Sequence, residues 1–242
     1  DISPQLSMHE ANWVVTWSSE HDMDNALDTD TEIYTMHSAD NGLIWSDPKK
    51  VSKGGENNAT ADTSPQLQIN ELGRGLLIWS GRENGTDADI YSSRTTNFGK
   101  DWTAGIVVND DADTDEDAVI DSNNITFNDM AANVLVSENG IYVASWYGRS
   151  PETGADDEAF YAYSLDSGSS WSDARVLNKN STTDAEDEFA PKFLTKPDNT
   201  WVASWVDDSG KVWIVESGNL ITWSTPVLLA EDSDENIDWV LH

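Results

Sequence analysis

The sequence has no cysteine and few basic residues. Among its 242 residues, 13 are Lys or Arg and 45 are Asp or Glu, so the formal net charge is −32. Without cysteine the protein has neither a disulfide framework nor a thiolate metal site. Nucleic acids and anionic membranes are bound by Lys and Arg that neutralise phosphate. The composition therefore excludes nucleic-acid binding and predicts an attraction for cations.

Long apolar runs and helical periodicity are also missing. No stretch approaches the ~20 apolar residues that a membrane span needs, so membrane insertion is not expected. No segment repeats its apolar residues every 3.6 positions, so helices should be scarce. The sequence begins at Asp1 without a start methionine or a signal peptide, which is typical of a mature or trimmed form.

Short apolar segments recur instead, in four similar units. Ser3-Pro4-Gln5-Leu6 returns as Ser64-Pro65-Gln66-Leu67, and the second segment of each unit ends in tryptophan, at Trp17, Trp79, Trp146 and Trp205. These segments are rich in β-branched and aromatic residues and are separated by turn residues, so each is predicted to be a strand. Four strands in each of four units predict an all-β fold, a β-propeller of four-stranded antiparallel blades.

The predicted propeller is a single domain over 1–242. Its repeats cover approximately 1–58, 59–117, 118–187 and 188–238. Ile237–Leu241 is predicted to add one further strand. Because an open propeller leaves unpaired edges, the four units form a closed ring, belong to a larger propeller, or pair with another copy in a homo-oligomer.

A hairpin motif with the spacing S/T-x-D/N-x-G-x-x-W precedes the last strand in three units. Its members are Ser38, Asp40, Gly42, Trp45, Thr95, Asn97, Gly99, Trp102, Ser164, Asp166, Gly168 and Trp171. In the fourth unit we assign only Trp223 to the motif, with Glu216, Gly218 and Leu220 at the other three positions. Ser and Asp side chains bond nearby amides, Gly supplies a positive φ, and Trp buries an apolar face. We therefore interpret the motif as structural rather than catalytic.

This motif resembles the Asp box, or BNR repeat, of sialidases and related propellers, and the resemblance covers nearly the whole chain. It implies six blades, three arginines that hold the substrate carboxylate, a Tyr–Glu nucleophile pair and an Asp acid/base. The sequence departs from that set, because Ile2-Ser3-Pro4-Gln5 stands where the family has F/Y-R-I-P and the chain holds only five arginines. Sialidase activity is therefore not expected.

Antiparallel strand order divides the connections between two ends of the sheets. The hairpin motifs lie at one end, and the opposite end carries most of the 45 carboxylates. Two explanations stay open. The acids bind calcium, for which the best candidates are Asp111, Asp113, Asp115 and Asp117, or they keep the surface hydrated in a salty environment.

Two arginines on the acidic end are the best candidates for ligand binding. Arg82 and Arg149 each follow the second strand of their unit, and with Tyr147 and Glu83 they form the predicted ligand-binding set. A guanidinium suits carboxylates and diols. The alternative is that each arginine pairs with a nearby carboxylate, Glu83 or Glu152.

The sequence thus predicts a secreted or cell-surface, sialidase-like propeller that binds a carbohydrate or protein ligand on its acidic face or serves as a scaffold. Calcium is its candidate cofactor. The alternative is a glycoside hydrolase of sialidase-like fold that acts on a neutral sugar. Such an enzyme needs two suitably spaced carboxylates, and the acidic end offers too many to choose a pair.

Overall fold

The structure, a computed structural model, describes residues 1–21, 31–52, 61–81, 88–109, 129–150, 153, 156–178 and 185–230. These residues form sixteen strands and no helix. The strands make four antiparallel sheets of four strands each. The predicted all-β class and the four-stranded antiparallel units are confirmed. Ile237–Leu241 lies outside the described residues.

Each sheet is a meander, with its strands hydrogen-bonded in chain order. The first sheet contains β1 (Ile2–His9), β2 (Asn12–Ser19), β3 (Glu32–Ser38) and β4 (Lys49–Lys50). The second contains β5 (Thr63–Ile69), β6 (Gly75–Gly81), β7 (Asp89–Thr95) and β8 (Ile106–Val107). The third contains β9 (Met130–Val136), β10 (Tyr142–Gly148), β11 (Glu158–Ser164) and β12 (Arg175–Val176). The fourth contains β13 (Glu188–Thr195), β14 (Trp201–Asp207), β15 (Val212–Ser217) and β16 (Val227–Ala230).

The sheets pack face to face in chain order, through the first strand of each. β5 packs between β1 and β9, and β13 packs against β9. Since a middle sheet is covered on both faces, its strands are continuous apolar runs, and all seven residues of β6 are buried.

Tryptophans near the end of the second strand build the core in the second, third and fourth sheets. Trp79, Trp146 and Trp205 are each at most 3% exposed. Each of the first two stacks on an aromatic residue of the neighbouring third strand, with ring centroids 6.0 Å apart for Trp79 and Tyr91 and 5.9 Å for Trp146 and Phe160. These three tryptophans are therefore core residues.

Hydrogen bonds between turns define the two ends of the sheets. At one end, the hairpin between the third and fourth strands is hydrogen-bonded to the turn between the first and second strands. In the first sheet, Asn41 N–H donates to the Ala11 carbonyl at 3.0 Å. At the other end, successive sheets are joined, as by Asp62 N–H donating to the Thr31 carbonyl at 2.7 Å. We call these the hairpin end and the junction end. They match the two ends predicted from strand order.

Candidate functional site

The hairpin end is occupied by closed hydrogen-bond networks. In the third sheet, Asp166 Oδ1 accepts from the backbone N–H groups of Ser169 at 3.0 Å and Ser170 at 2.9 Å. The Ser164 hydroxyl accepts from Gly168 N–H at 2.8 Å. The hydrogen bond from the Ser170 hydroxyl, together with these amides, lowers the pKa of Asp166 to about 2. An aspartate with these partners stabilises a turn and is unsuited to proton transfer at neutral pH.

The same bonds recur in the first two sheets. Asp40 Oδ1 accepts from Leu43 and Ile44 N–H at 3.1 and 2.9 Å. In the second sheet Asn97 Oδ1 accepts from Asp101 N–H at 3.0 Å, and the Thr95 hydroxyl accepts from Gly99 N–H, also at 3.0 Å. The bonds therefore use a side-chain oxygen that either Asp or Asn can supply.

The fourth hairpin corrects the sequence assignment. Ser217, not Glu216, stands opposite Trp201 in the strand register, as Ser164 stands opposite Tyr142. Ser217 Oγ accepts from Leu220 N–H at 3.0 Å, and Asn219 Oδ1 accepts from the N–H groups of Ile221 and Thr222, both at 2.9 Å. The hairpin is thus a shortened form of the motif without its glycine. Counting backwards from Trp223 shifted the assignment by one residue.

Buried carboxylates at the junction end also differ from expectation. Seven are at most 6% exposed, namely Glu32, Asp62, Asp89, Asp129, Glu158, Glu188 and Asp207. Three of them open the third strand of a sheet, three stand at the start of the next sheet, and Asp207 ends β14. Neither a hydrated surface nor an exposed calcium loop accounts for them. They belong to the packing between sheets.

Arg149 is the centre of the best candidate site, at the junction of the third and fourth sheets. Its Nε lies 2.9 Å from Asp157 Oδ1, and the two side chains are 23% and 25% exposed. Asp157 N–H in turn donates to Asp187 Oδ1 at 2.8 Å. The partner of Arg149 is therefore Asp157, which the sequence reasoning did not choose, and Asp187 ties the pair to the fourth sheet.

Tyr147 precedes this pair on β10 and is half-buried. Its ring meets Phe189 of the fourth sheet edge to face, with centroids 5.5 Å apart. Burial and the negative charge of Asp157 raise the pKa of the Tyr147 hydroxyl. The phenol therefore stays protonated and can donate a hydrogen bond at the rim of the site.

Burial also raises the pKa of Asp157. The charge of Arg149 opposes this shift, whereas the charges of Asp187 and Asp156 add to it. The site thus combines a guanidinium, a carboxylate that favours its proton more than usual, and an aromatic ring. Donors and acceptors placed side by side next to an apolar ring are what a sugar with adjacent hydroxyls requires.

The remaining predicted site residues lie outside the described residues, namely Arg82, Glu83, Glu152, Asp111, Asp113, Asp115 and Asp117. Within the ranges that are described, no three His, Cys, Asp or Glu side chains are grouped so that they could hold a metal ion. Nor does that part of the chain contain a helix long and apolar enough to cross a membrane.

The chain is similar to a known protein in sequence and to several solved structures in fold. No family model matches the chain. A protein of Clostridium perfringens named sialidase is 26% identical over 177 residues, which cover 71% of this chain and 43% of that protein. The chain therefore spans less than half of that relative's length.

Solved structures agree with this relation. The Hadza microbial sialidase Hz136 matches with a TM-score of 0.63 at 13% identity, over 92% of this chain and 45% of that one. The intramolecular trans-sialidase of Ruminococcus gnavus matches with a TM-score of 0.62 at 12% identity, over 94% and 70%. A protein of unknown function from Dyadobacter fermentans matches with a TM-score of 0.64 at 15% identity, over 93% and 68%. This chain has a sialidase-like, all-β fold.

Proposed function

We propose that the chain is a carbohydrate-binding, sialidase-like β-propeller of the extracellular space or cell surface, and that its ligand binds at the junction end beside Arg149. The observation that carries the proposal is the Arg149–Asp157 pair at 2.9 Å, only partly exposed and next to the half-buried ring of Tyr147. The hairpin end, by contrast, uses its polar atoms in its own turns.

The ligand that fits best is a neutral sugar. The charge of Arg149 is already balanced by Asp157, and Asp156 and Asp187 lie close enough to influence that carboxylate. These negative charges would repel the carboxylate of a sialic acid. Arg149, which would have to bind that carboxylate, is already paired with Asp157. Adjacent hydroxyls, in contrast, can donate to Asp157 and accept from the guanidinium at once.

A glycoside hydrolase is the second candidate, and one observation favours it. Burial raises the pKa of Asp157, and the charge of the nearby Asp187 adds to that shift. Two carboxyl groups, one of which holds its proton more readily than usual, are what glycosidic bond cleavage needs. In that case Asp157 donates the proton to the leaving oxygen. Release of 4-nitrophenol from neutral aryl glycosides, lost in Asp157→Asn, would favour the hydrolase over the binding module.

Binding is tested with a glycan array followed by calorimetry on the best neutral glycan. Arg149→Gln should weaken that binding at least about tenfold, because it removes a charged donor and leaves Asp157 without its partner. Arg74→Gln is the matched control, since Arg74 is exposed in the turn after β5, at the hairpin end. Equal affinity of the two variants, or an array that shows no neutral glycan bound, would contradict the proposal.

The propeller arrangement and its completion are part of the same proposal. The four sheets pack in chain order, and the first strand of the first sheet exposes Leu6 and Met8 at 54% and 66%. The corresponding Leu67 of the second sheet is partly buried and packs against the core instead. We propose that a further sheet covers this face, supplied by a larger propeller or by a second copy. Light scattering on the purified chain distinguishes a dimer from a monomer.

A further inference from the structure

The three contacts between successive sheets repeat one arrangement. The tryptophan near the end of a second strand shares a core cluster with two residues of the preceding sheet, one near the start of its third strand and one just after its fourth. The three sets are Trp79 with Ile33 and Val51, Trp146 with Ile90 and Val108, and Trp205 with Ala159 and Leu177. A sheet thus turns a tryptophan face to the sheet before it and an aliphatic face to the sheet after it.

The tryptophan face of the first sheet is open. Leu6 pairs with Val15, two residues before Trp17, and is 54% exposed. Val134 and Phe193 hold the same position in the third and fourth sheets, and both are buried. Trp17 is itself only partly buried, unlike its three counterparts. The first sheet therefore presents half of a contact that the later sheets complete.

The fourth sheet presents the other half, because its aliphatic face is open. Val212 holds the position of Ile33, since each pairs with the residue that follows the tryptophan of its own sheet. Leu229 is the counterpart of Val51, since each follows the fourth-strand residue that pairs with the aromatic side chain after Val212 or Ile33. The strand register shifts beside Leu229, which is 59% exposed, and Val212 is partly exposed. Ile33 and Val51 are both buried.

A first-strand leucine extends the open aliphatic face. Leu194 pairs with Val202 in the fourth sheet as Leu135 pairs with Val143 in the third. Leu135 packs against the core between the third and fourth sheets, whereas Leu194 is 53% exposed. Neighbouring apolar side chains that are exposed in this way mark an interaction site. The two open faces carry complementary halves of a contact that the chain already makes three times.

We propose that the aliphatic face of the fourth sheet binds the tryptophan face of the first sheet in a second copy of the chain. Leu6 and Trp17 of one copy then pack against Leu194, Val212 and Leu229 of the other. Because Leu6 and Leu229 are both exposed, one chain does not cover its own first sheet with its own fourth. Two different surfaces meet, so the contact is head-to-tail rather than two-fold symmetric. This inference rests on the proposal that a further sheet covers Leu6, and it names that sheet.

Size-exclusion chromatography with light scattering on the purified chain tests the contact. The wild type should have at least twice the mass of a single chain. Leu6→Asp and Leu229→Asp each place a charge at an exposed position of one face, so each variant should fold and stay a monomer. The control Leu165→Asp, at an exposed position in the hairpin of the third sheet, should keep the mass of the wild type. A wild type that is monomeric at every protein concentration would overturn the proposal.

Mixing the two monomeric variants tests the head-to-tail geometry. Leu6→Asp keeps an intact fourth-sheet face and Leu229→Asp keeps an intact first-sheet face, so the mixture should form a one-to-one dimer with twice the mass of either alone. That dimer would also show that both variants are folded. If the mixture stays monomeric, or if Leu229→Asp alone keeps the mass of the wild type, the faces do not meet as proposed. Glycan binding beside Arg149 is measured separately on the monomeric variants, so a failure of association leaves the proposed sugar site standing.

Discussion

Gly99 is the position at which the hairpin motif makes its most demanding contact. Its φ is +73°, and a Cβ built on it would lie 2.9 Å from both Cγ atoms of Val14 in the preceding sheet. Val14 is 1% exposed and therefore has little freedom to move. The glycine thus serves both the turn conformation and the close approach of two sheets.

Gly99→Ala should lower the free energy of unfolding by about 2–5 kcal/mol. A left-handed φ costs an L-residue about 1–2 kcal/mol, and overpacking a filled core costs about 1–3 kcal/mol more. Gly218→Ala is the matched control in the fourth hairpin. Its added Cβ would meet nothing within 4 Å, and Gly218 is not among the glycines with positive φ. That change should leave stability unchanged or raise it by up to about 1 kcal/mol.

Urea unfolding followed by tryptophan fluorescence measures both variants. Val14→Ala in the background of Gly99→Ala should recover part of the loss, because it makes room for the new methyl group. Equal stability of the Gly99 and Gly218 variants would refute the reasoning.

Three further predictions concern single interactions. The pKa of Asp166 is about 2 in the folded chain, against an ordinary value of 3.8. Its contribution to the free energy of unfolding is therefore present above about pH 4 and is lost as the pH falls towards 2. Urea unfolding of Asp166→Asn should depend less on pH in this range than unfolding of the wild type. Tyr161→Phe should lower the free energy of unfolding by about 1–3 kcal/mol, because the Tyr161 hydroxyl donates to the Leu220 carbonyl and accepts from Trp223 Nε1. The control Tyr163→Phe, at a half-buried position, should lower it by less than about 0.5 kcal/mol. If Asp111–Asp117 binds calcium, Ca²⁺ at ~100 Kd should add ~2.7 kcal/mol over EDTA in a melting experiment, and an unchanged melting temperature would leave hydration as the explanation of the acidity.

The sequence was sufficient for the sheets because their signals are local. Strands such as β6 and β10 are short apolar runs between turn residues, and the three complete hairpin motifs repeat at fixed spacing. The fourth hairpin was misassigned because one residue is missing before Trp223. Only the pairing of Trp201 with Ser217 restores the alignment.

The sites were less predictable because they depend on contacts between sheets. Arg149 was identified from its place after a second strand, but its partner Asp157 lies across the loop that follows, and Asp187 comes from the connection to the next sheet. Glu188 differs in burial from the acids around it only through packing.

The most direct test of the account is a crystal structure of the chain with the neutral glycan that binds best. We predict that sugar hydroxyls lie within hydrogen-bonding distance of the Arg149 guanidinium and the Asp157 carboxylate, at the junction of the third and fourth sheets. A glycan bound at the hairpin end beside Asp166, with the Arg149 pair untouched, would contradict it.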